Sequence, residues 1–253
     1  MKWIVFQVAV MFAGMAMAAP EVAHDFNSLY NGPIDGQLGW NVYDKIRDTS
    51  ALSVVDELGT TEEVSDKALI IKASEKPIRC VIDKPVRWET GLTLYVEFDF
   101  RLTVPSRVVA QDTPAMVFYV GNPLLNEQAR WEVRIDAKAN DAWDLTAAMP
   151  VEAHQEIPAF KLLVRSDKED AVSDWFHCVV EIKKMPVPDT FKTSVKITDQ
   201  NNKLIAEVSC SGSSDDEVTK SMWNMTRLYA GFGAPSDLLG LACIDNLTMS
   251  YTP

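Results

Sequence analysis

Charged side chains alternate with apolar ones between positions 130 and 136, and this spacing suggests a binding surface. Arg130, Glu132 and Arg134 are separated by single apolar residues, so a β-strand would place all three on one face. Planar guanidinium and carboxylate groups beside an aromatic ring can hydrogen-bond to a sugar and stack against it. Trp143 follows in a polar segment that we interpret as a loop. These four residues form the candidate carbohydrate-binding set, although a tryptophan folded over a sheet edge explains Trp143 equally well.

Strands would have to position these side chains, because the alternation of apolar and polar residues recurs along the chain. The clearest run is 94–102, in which every second residue is apolar. Similar runs cover 130–136, 176–183 and 191–198. The connections carry Pro, Gly, Asn and Asp, and the best helical candidate lies near 215–223. Many short strands joined by such turns predict an all-β sandwich or barrel.

The first 18 residues have the features of a secretory signal peptide. Lys2 gives a positive start, an apolar run follows, and the A-x-A sequence that ends at Ala18 fits the cleavage site. The apolar run is shorter than the ~20 residues of a membrane-spanning helix, so no membrane insertion is expected. We therefore predict a signal peptide at 1–18 and a single β-sandwich domain at 19–253. The protein would be secreted, either periplasmic or associated with the cell surface.

The charge and the cysteines limit the partners and the chemistry. The chain has a formal net charge of −12, and a surface of this sign repels nucleic acid and anionic membranes. Its four cysteines form no C-x-x-C pair, which gives no support to a zinc site. Two disulfides in an oxidising compartment are one interpretation of Cys80, Cys178, Cys210 and Cys243. Buried free thiols that behave as small apolar side chains are the other.

Several segments of the chain resemble a known superfamily. After the predicted signal peptide, residues 25–40 are DFNSLYNGPIDGQLGW, followed further along by LYVEFDFRL, DWFHCVVEIKK and, near the end, IDNLTMSY. This order resembles the concanavalin A-like lectin/glucanase superfamily, and more narrowly the laminin-G-like jelly rolls of secreted bacterial proteins. The resemblance implies an all-β, two-sheet antiparallel jelly-roll sandwich in which the first and last strands lie together, with Phe26 and Trp40 as apolar anchors. Such folds carry binders, hydrolases, lyases and structural modules, so the resemblance leaves the function open.

The resemblance also implies a metal site. Many sugar-binding β-sandwiches hold a structural calcium ion between the first and last strands, with oxygen ligands from both. Asp25, Asn27 and Asp245 would form that set here. Asn27 stands where relatives often have glutamate, which lowers the charge of the ligands. The alternative is that Asp245 hydrogen-bonds a neighbouring turn.

Two enzymatic interpretations stay open. Glu97 and Asp99 would share a strand face about 6–7 Å apart, and hydrolases of the superfamily use carboxylates on one such face. The third acid of their E-x-D-x-x-E motif is missing here. Jelly-roll lyases combine arginine, histidine and tyrosine on one sheet, and His177, Arg134 and Tyr119 are the candidates for that role. A face of charged side chains paired with arginines, and a structural histidine, are the non-catalytic alternatives.

The sequence therefore predicts a secreted, non-catalytic jelly-roll module that binds a carbohydrate ligand. One alternative is a glycan-degrading enzyme on the same fold, either a hydrolase or a lyase. The other is a structural or protein-interaction sandwich without a sugar site. Calcium is the predicted cofactor and a glycan the predicted partner, while the identity of the glycan and the oligomeric state stay open.

Overall fold

The computed structural model describes residues 22–43, 49–56, 66–105, 113–121, 130–138, 142–148, 155–156, 160–161, 170–213 and 217–252. The predicted signal peptide at 1–18 lies outside these residues. The strands, numbered β1 to β19 in chain order, form two antiparallel sheets, which we call sheet A and sheet B.

Sheet A contains the first and the last of these strands. Its main path runs β17-β16-β15-β8-β19-β5-β4-β2, while β1 pairs with β19 and β14 pairs with β8. The bounds of its ten strands are β1 Val22–His24, β2 Gly32–Pro33, β4 Leu52–Asp56, β5 Lys67–Lys72, β8 Thr93–Pro105, β14 Asp170–Val172, β15 Phe176–Lys184, β16 Thr190–Asp199, β17 Leu204–Ser213 and β19 Leu241–Thr252.

Sheet B packs against sheet A. Its main path runs β12-β11-β10-β9-β18-β6-β3, while β13 pairs with β11 and β7 pairs with β18. The bounds of its nine strands are β3 Trp40–Tyr43, β6 Ile78–Ile82, β7 Val86–Arg87, β9 Thr113–Gly121, β10 Arg130–Lys138, β11 Ala142–Ala148, β12 Gln155–Glu156, β13 Phe160–Lys161 and β18 Arg227–Ala234. The helix α1, Glu217–Asn224, overlaps the helical candidate of the sequence.

The alternation in β15 shows how the sequence builds the sandwich. Burial alternates from residue to residue along this strand, with Cys178, Val180 and Ile182 in the core and His177 on the outer face. The same period-two pattern in β8 and β16 lays one apolar face of each strand against sheet B. The core between the sheets includes nine fully buried large aromatic side chains: Trp40, Trp88, Trp131, Phe26, Phe98, Phe100, Phe118, Phe191 and Phe232. The predicted all-β sandwich of two antiparallel sheets is confirmed.

The opening segment closes one end of the sandwich. Strand β1 pairs antiparallel with β19, so that His24 lies opposite Leu247. The rings of Phe26 and Trp40 are fully buried, with centroids 5.9 Å apart, which confirms their predicted role as anchors. Between them, Gly39 turns the chain with a φ of 88°, a conformation that glycine adopts without strain.

Three of the four cysteines are buried free thiols. Cys80, Cys178 and Cys243 form no disulfide, and burial raises the pKa of each thiol, to about 12 for Cys80. The buried-thiol interpretation therefore holds for these three, while the side chain of Cys210 lies outside the described residues. In the described part of the chain, no helix is long and apolar enough to cross a bilayer.

Candidate functional site

The outer face of sheet B carries the arginines and carboxylates that the sequence singled out. Arg130, Glu132 and Arg134 share this face of β10, as predicted. The guanidinium of Arg130 lies 2.9 Å from the Glu132 carboxylate, and that of Arg134 lies 2.8 Å from Asp136. Both pairs form within one strand, because residues two apart point to the same side. The charges on this face therefore pair with each other.

Tyr119 on the neighbouring strand β9 also bonds and packs against groups of the protein itself. Its hydroxyl donates to the carbonyl of Phe232 at 2.7 Å, and the Arg130 guanidinium lies 5.4 Å from the centre of its ring. The ring covers Gly233, where an added Cβ would lie 3.1 Å from a ring carbon. Tyr119 is thus a buried packing residue of this face.

Trp143 is not a loop residue. It belongs to β11, where its backbone pairs with Ala137 on one side and Phe160 on the other. Arg134 pairs three positions further along β11, with Thr146. The prediction of a loop was wrong because residues 142–148 form a strand that pairs antiparallel with β10. The side chain of Trp143 lies outside the described residues.

The outer face of sheet A brings together polar side chains from three neighbouring strands. Asp99 on β8 lies between His177 on β15 and Asn246 on β19. One carboxylate oxygen of Asp99 lies 2.8 Å from the Nδ1 atom of His177. The other oxygen accepts a hydrogen bond of 2.8 Å from the side-chain amide of Asn246. Glu97 lies on the other side of the imidazole, with its Oε2 atom 3.7 Å from Nε2 of His177.

A distortion in β19 delivers the Asn246 amide to this position. The register between β19 and β8 shifts between Asp245 and Thr248, and Asn246 has a φ of 51°. Asparagine tolerates this left-handed conformation better than most residues. Its backbone N–H donates to the Asp245 carboxylate at 2.7 Å. The I-D-N sequence therefore encodes a local bulge that places its amide beside Asp99.

Two carboxylates hold the imidazole of His177 in its charged form. Its hydrogen bond to Asp99, followed by the nearby carboxylate of Glu97, raises the pKa of His177 from 6.5 to about 9. Burial opposes this shift, but opposite charges at these distances outweigh it. At neutral pH both ring nitrogens therefore carry a proton, and the Nε2–H is available as a donor.

A cavity of about 510 Å³ opens beside this group. Asp99 and His177 line it together with Trp175, and the turn after β16 supplies polar residues. Phe176 is also a lining residue, although its ring packs against Phe100 in the core. The lining residues are Asp99, Trp175, Phe176, His177, Asp199, Gln200 and Asn202. A volume of this size lies within the range of small-ligand sites.

The turn that borders the cavity is held by its own first residue. The Oδ1 atom of Asp199 accepts hydrogen bonds from the backbone N–H groups of Asn201, at 2.8 Å, and Lys203, at 2.9 Å. Asn202 has a φ of 59°. Within the described part of the chain, Oδ2 of Asp199 and the side-chain amides of Gln200 and Asn202 make no hydrogen bond. These groups remain available to a ligand.

Trp175 is fixed in place by a cation. The guanidinium of Arg101 lies 5.0 Å from the centre of the Trp175 ring. The attraction between a cation and the face of an indole ring stabilises this arrangement. Trp175 also packs against Ala68 and Cys243 in a small apolar cluster on the outer face. These contacts hold the Trp175 ring on the outer face of sheet A, beside the cavity.

The fold separates the residues of the predicted lyase set but keeps those of the predicted hydrolase set on one face. The lyase set was wrong, because His177 lies on the outer face of sheet A while Arg134 and Tyr119 lie on sheet B, with the core between them. Glu97 and Asp99 do share a face, as predicted. Only Asp99 lines the cavity, however, and both carboxylates lie against the same imidazole.

The predicted calcium ligands are engaged in hydrogen bonds with the main chain. A side-chain oxygen of Asp25 accepts from the Asn27 N–H at 3.1 Å, and that of Asn27 accepts from the Lys67 N–H at 2.7 Å. Asp245 accepts a hydrogen bond from the backbone N–H of Asn246, the next residue of β19. Among the described residues, no three acidic, histidine or cysteine side chains are grouped to hold a metal ion. The calcium site stays a prediction that this arrangement does not support.

Comparison with known proteins identifies the fold. No family model matches the chain, and no curated protein matches it in sequence. Lectin UEA-II complexed with galactose is 9% identical with a TM-score of 0.52, covering 93% of this chain and 100% of that one. Metal-free lectin I-B4 from Griffonia simplicifolia is 12% identical, with a TM-score of 0.51 and coverage of 92% and 100%. The winged bean acidic lectin complexed with methyl-α-D-galactose is 9% identical, with a TM-score of 0.51 and coverage of 85% and 100%.

The chain therefore has the two-sheet jelly roll of the concanavalin A-like lectins, as the opening and closing motifs predicted. At such low identities the likeness concerns the fold alone.

Most of the residues that line the cavity were not predicted from the sequence as one site. Residues 199–203 are polar and follow one alternating run, while Trp175 and His177 lie at the start of another, but nothing in the sequence joins the two segments. The pairing of Phe176 with Asp199 brings the turn beside the imidazole. An alternating strand whose first residues include tryptophan and histidine, followed by a hairpin rich in amides, is the pattern that could have indicated the site.

Proposed function

We propose that the protein binds carbohydrate and that the cavity on sheet A receives one sugar residue. The observation that carries this proposal is the chemistry of the lining. Among the described residues, two primary amides and one carboxylate oxygen of the lining make no hydrogen bond, and the Nε2–H of His177 has only a long contact of 3.7 Å with Glu97. Amides both donate and accept, so they match hydroxyl groups, which do the same. The lectin fold of the chain supports the proposal at the level of the fold.

Binding fits this geometry better than hydrolysis does. A glycosidase needs two carboxyl groups on either side of the scissile bond. Here the carboxylates of Glu97 and Asp99 flank His177 instead, at 3.7 Å and 2.8 Å from its two ring nitrogens. We therefore propose a non-catalytic module. Release of reducing ends from any polysaccharide that it binds would contradict this part of the proposal.

Two substitutions in the turn test the site. Asn202→Gly removes the amide while keeping the φ of 59° accessible, and Gln200→Ala removes the second amide. Each loss of one or two hydrogen bonds should weaken sugar binding by about two- to tenfold, as measured by calorimetry.

Asn201→Ala is the matched control, because Asn201 lies in the same turn but does not line the cavity. A glycan array with the mature protein comes first. No binding to any glycan would contradict the proposed function, and binding that survives both lining substitutions would contradict the proposed site.

We also propose that the protein is secreted to a periplasm or cell surface. The support is the signal peptide pattern that ends at Ala18. N-terminal sequencing of the protein from its host should find a mature chain that begins at Ala19. An N-terminus at Met1 would contradict the proposal.

A further inference from the structure

Four side chains form a polar row across three strands of sheet A: Asn246, Asp99, His177 and Glu97. The first two contacts in the row are hydrogen bonds of 2.8 Å, from Asn246 to Asp99 and between Asp99 and Nδ1 of His177. The third contact, from Nε2 of His177 to Oε2 of Glu97, is 3.7 Å long. That distance is too long for a hydrogen bond.

The row therefore ends in a donor and an acceptor that face each other without bonding. Asp99 accepts the hydrogen bond from Nδ1–H, so Nε2–H is the remaining donor of the ring. Within the described part of the chain, Glu97 and Nε2 make no hydrogen bond to any other group. The side chain of His177 is 38% exposed and that of Glu97 28%. His177 lines the cavity, and the Glu97 carboxylate lies 3.7 Å from its Nε2 atom, just outside the lining.

A hydroxyl group placed beside these two atoms can bridge them. Its oxygen can lie roughly 2.7–2.9 Å from both Nε2 and Oε2, because the two atoms are close enough to be bridged. It accepts the Nε2–H and donates its own proton to the carboxylate. An ether oxygen can only accept, and a methylene can do neither. The pair therefore distinguishes a free hydroxyl from an alkylated or missing one.

We propose that His177 and Glu97 together recognise one free hydroxyl of the bound sugar, and that Asp99 and Asn246 are positioning residues for this contact. The inference rests on the proposed function, because it concerns the ligand of the same cavity. The ligand class is a sugar residue that is unsubstituted at one particular hydroxyl. Sites that hydrogen-bond a substrate hydroxyl reject analogues without it far more strongly than apolar pockets reject a size change.

Asn246 acts through Asp99. Its amide holds the second carboxylate oxygen of Asp99, so that the first stays aimed at Nδ1 of His177. Without the amide, Asp99 can rotate, and the imidazole loses its fixed orientation. Asn246→Gly tests this step because glycine accepts the φ of 51° while the amide is lost.

The experiment uses methyl glycosides of galactose, glucose, mannose and fucose as probes, with binding measured by calorimetry. The one that binds most tightly is then compared with its monodeoxy and mono-O-methyl derivatives. We expect one position at which both changes weaken binding by about tenfold or more. In Glu97→Ala, the ratio of the affinity for the parent glycoside to the affinity for this derivative should fall to about one. A double-mutant cycle measures the change.

Glu97→Gln keeps an acceptor oxygen and should retain part of the discrimination. Asn246→Gly should reduce the ratio and also shift the NMR signals of the His177 ring, which a merely structural loss elsewhere would leave unchanged. Glu181→Ala is the control, because Glu181 lies on the same outer face of β15 but accepts a hydrogen bond from Ser194 instead of lying against the imidazole of His177. It should keep the full ratio.

The outcomes separate the two proposals. Suppose that a sugar binds, and that its deoxy and O-methyl derivatives lose as much affinity for Glu97→Ala as for wild type at every position. This result would overturn the hydroxyl recognition but leave sugar binding intact. Loss of discrimination in the Glu181→Ala control would overturn it as well. If none of the methyl glycosides binds to wild type, the proposed site fails, and the recognition of a hydroxyl fails with it.

Discussion

The outer faces of the two sheets use similar side chains in opposite ways. On sheet B, Arg130 and Arg134 pair with carboxylates two positions further along the same strand, at 2.9 and 2.8 Å. On sheet A, the carboxylate of Asp99 pairs across strands, with His177 and Asn246. The first arrangement satisfies its charges within one strand. The second leaves the Nε2–H of His177, a residue that lines the cavity, 3.7 Å from the carboxylate of Glu97.

The difference shows that the number of charged groups on a face does not indicate a binding site. The pairs of β10 are only partly exposed, and their charges are already satisfied within the strand, so neither pair leaves a charged group for a ligand. Groups that are oriented by neighbours but left with an unused donor or acceptor are prepared to bind a ligand. By this criterion the sheet A face is the stronger candidate site, while the sugar-binding role of the sheet B face stays a prediction.

The largest effect that separates the two faces should come from matched isosteric changes. Asp99→Asn removes the charge that holds His177, and hydrogen bonds to charged groups contribute about 1.5–3 kcal/mol. We expect sugar affinity to fall by about ten- to a hundredfold in calorimetry. Asp136→Asn breaks the pair with Arg134 and should leave affinity unchanged. Equal losses in the two variants would erase the distinction between the faces.

The second contrast between the faces is in their response to pH. The pKa of His177 is raised from 6.5 to about 9 in the folded protein. The stability that this shift contributes is fully present below about pH 6.5, and it is lost as the pH rises through about 9. We therefore expect the difference in unfolding free energy between wild type and His177→Gln to be largest near pH 6 and to shrink towards pH 9.5.

Arg134→Gln is the control for this titration on sheet B. A guanidinium stays charged over this range, so the stability difference for this variant should not change with pH. Denaturant unfolding at several pH values measures both. A flat profile for His177→Gln would show that the carboxylates do not hold the imidazole as the geometry indicates.

The sequence predicts one face better than the other for a physical reason. Alternation is local, so it correctly places Arg130, Glu132 and Arg134 on one face of a strand, and it does the same for Glu97 and Asp99. The fold follows from the same local pattern and from the opening and closing motifs.

The contacts of the polar row could not be predicted in this way. His177 lies 78 positions after Asp99, and Asn246 lies 147 positions after it. These residues meet only because β8 lies between β15 and β19 in sheet A. Strand order depends on how the whole sandwich packs, which no local spacing contains.

Tyr119→Phe should have a smaller effect and sharpens the assignment of sheet B as a packing surface. The substitution removes the hydrogen bond of 2.7 Å to the Phe232 carbonyl, and it should reduce the unfolding free energy by about 1 kcal/mol. Sugar affinity should not change, because Tyr119 lies on the other side of the core from the cavity. Weaker sugar binding in this variant would return the sheet B face to the list of candidate sites.

The smallest effect that we expect is that of calcium. A ligand that binds only the folded state raises the melting temperature, so a site made by Asp25, Asn27 and Asp245 would be detected by adding calcium after treatment with EDTA. The main-chain hydrogen bonds of these side chains already engage an oxygen of each. We therefore expect no measurable change in melting temperature or in sugar affinity. A rise that Asp25→Ala abolishes would instead establish the calcium site, and it would tie the bulge at Asn246, and with it the polar row of sheet A, to a bound ion.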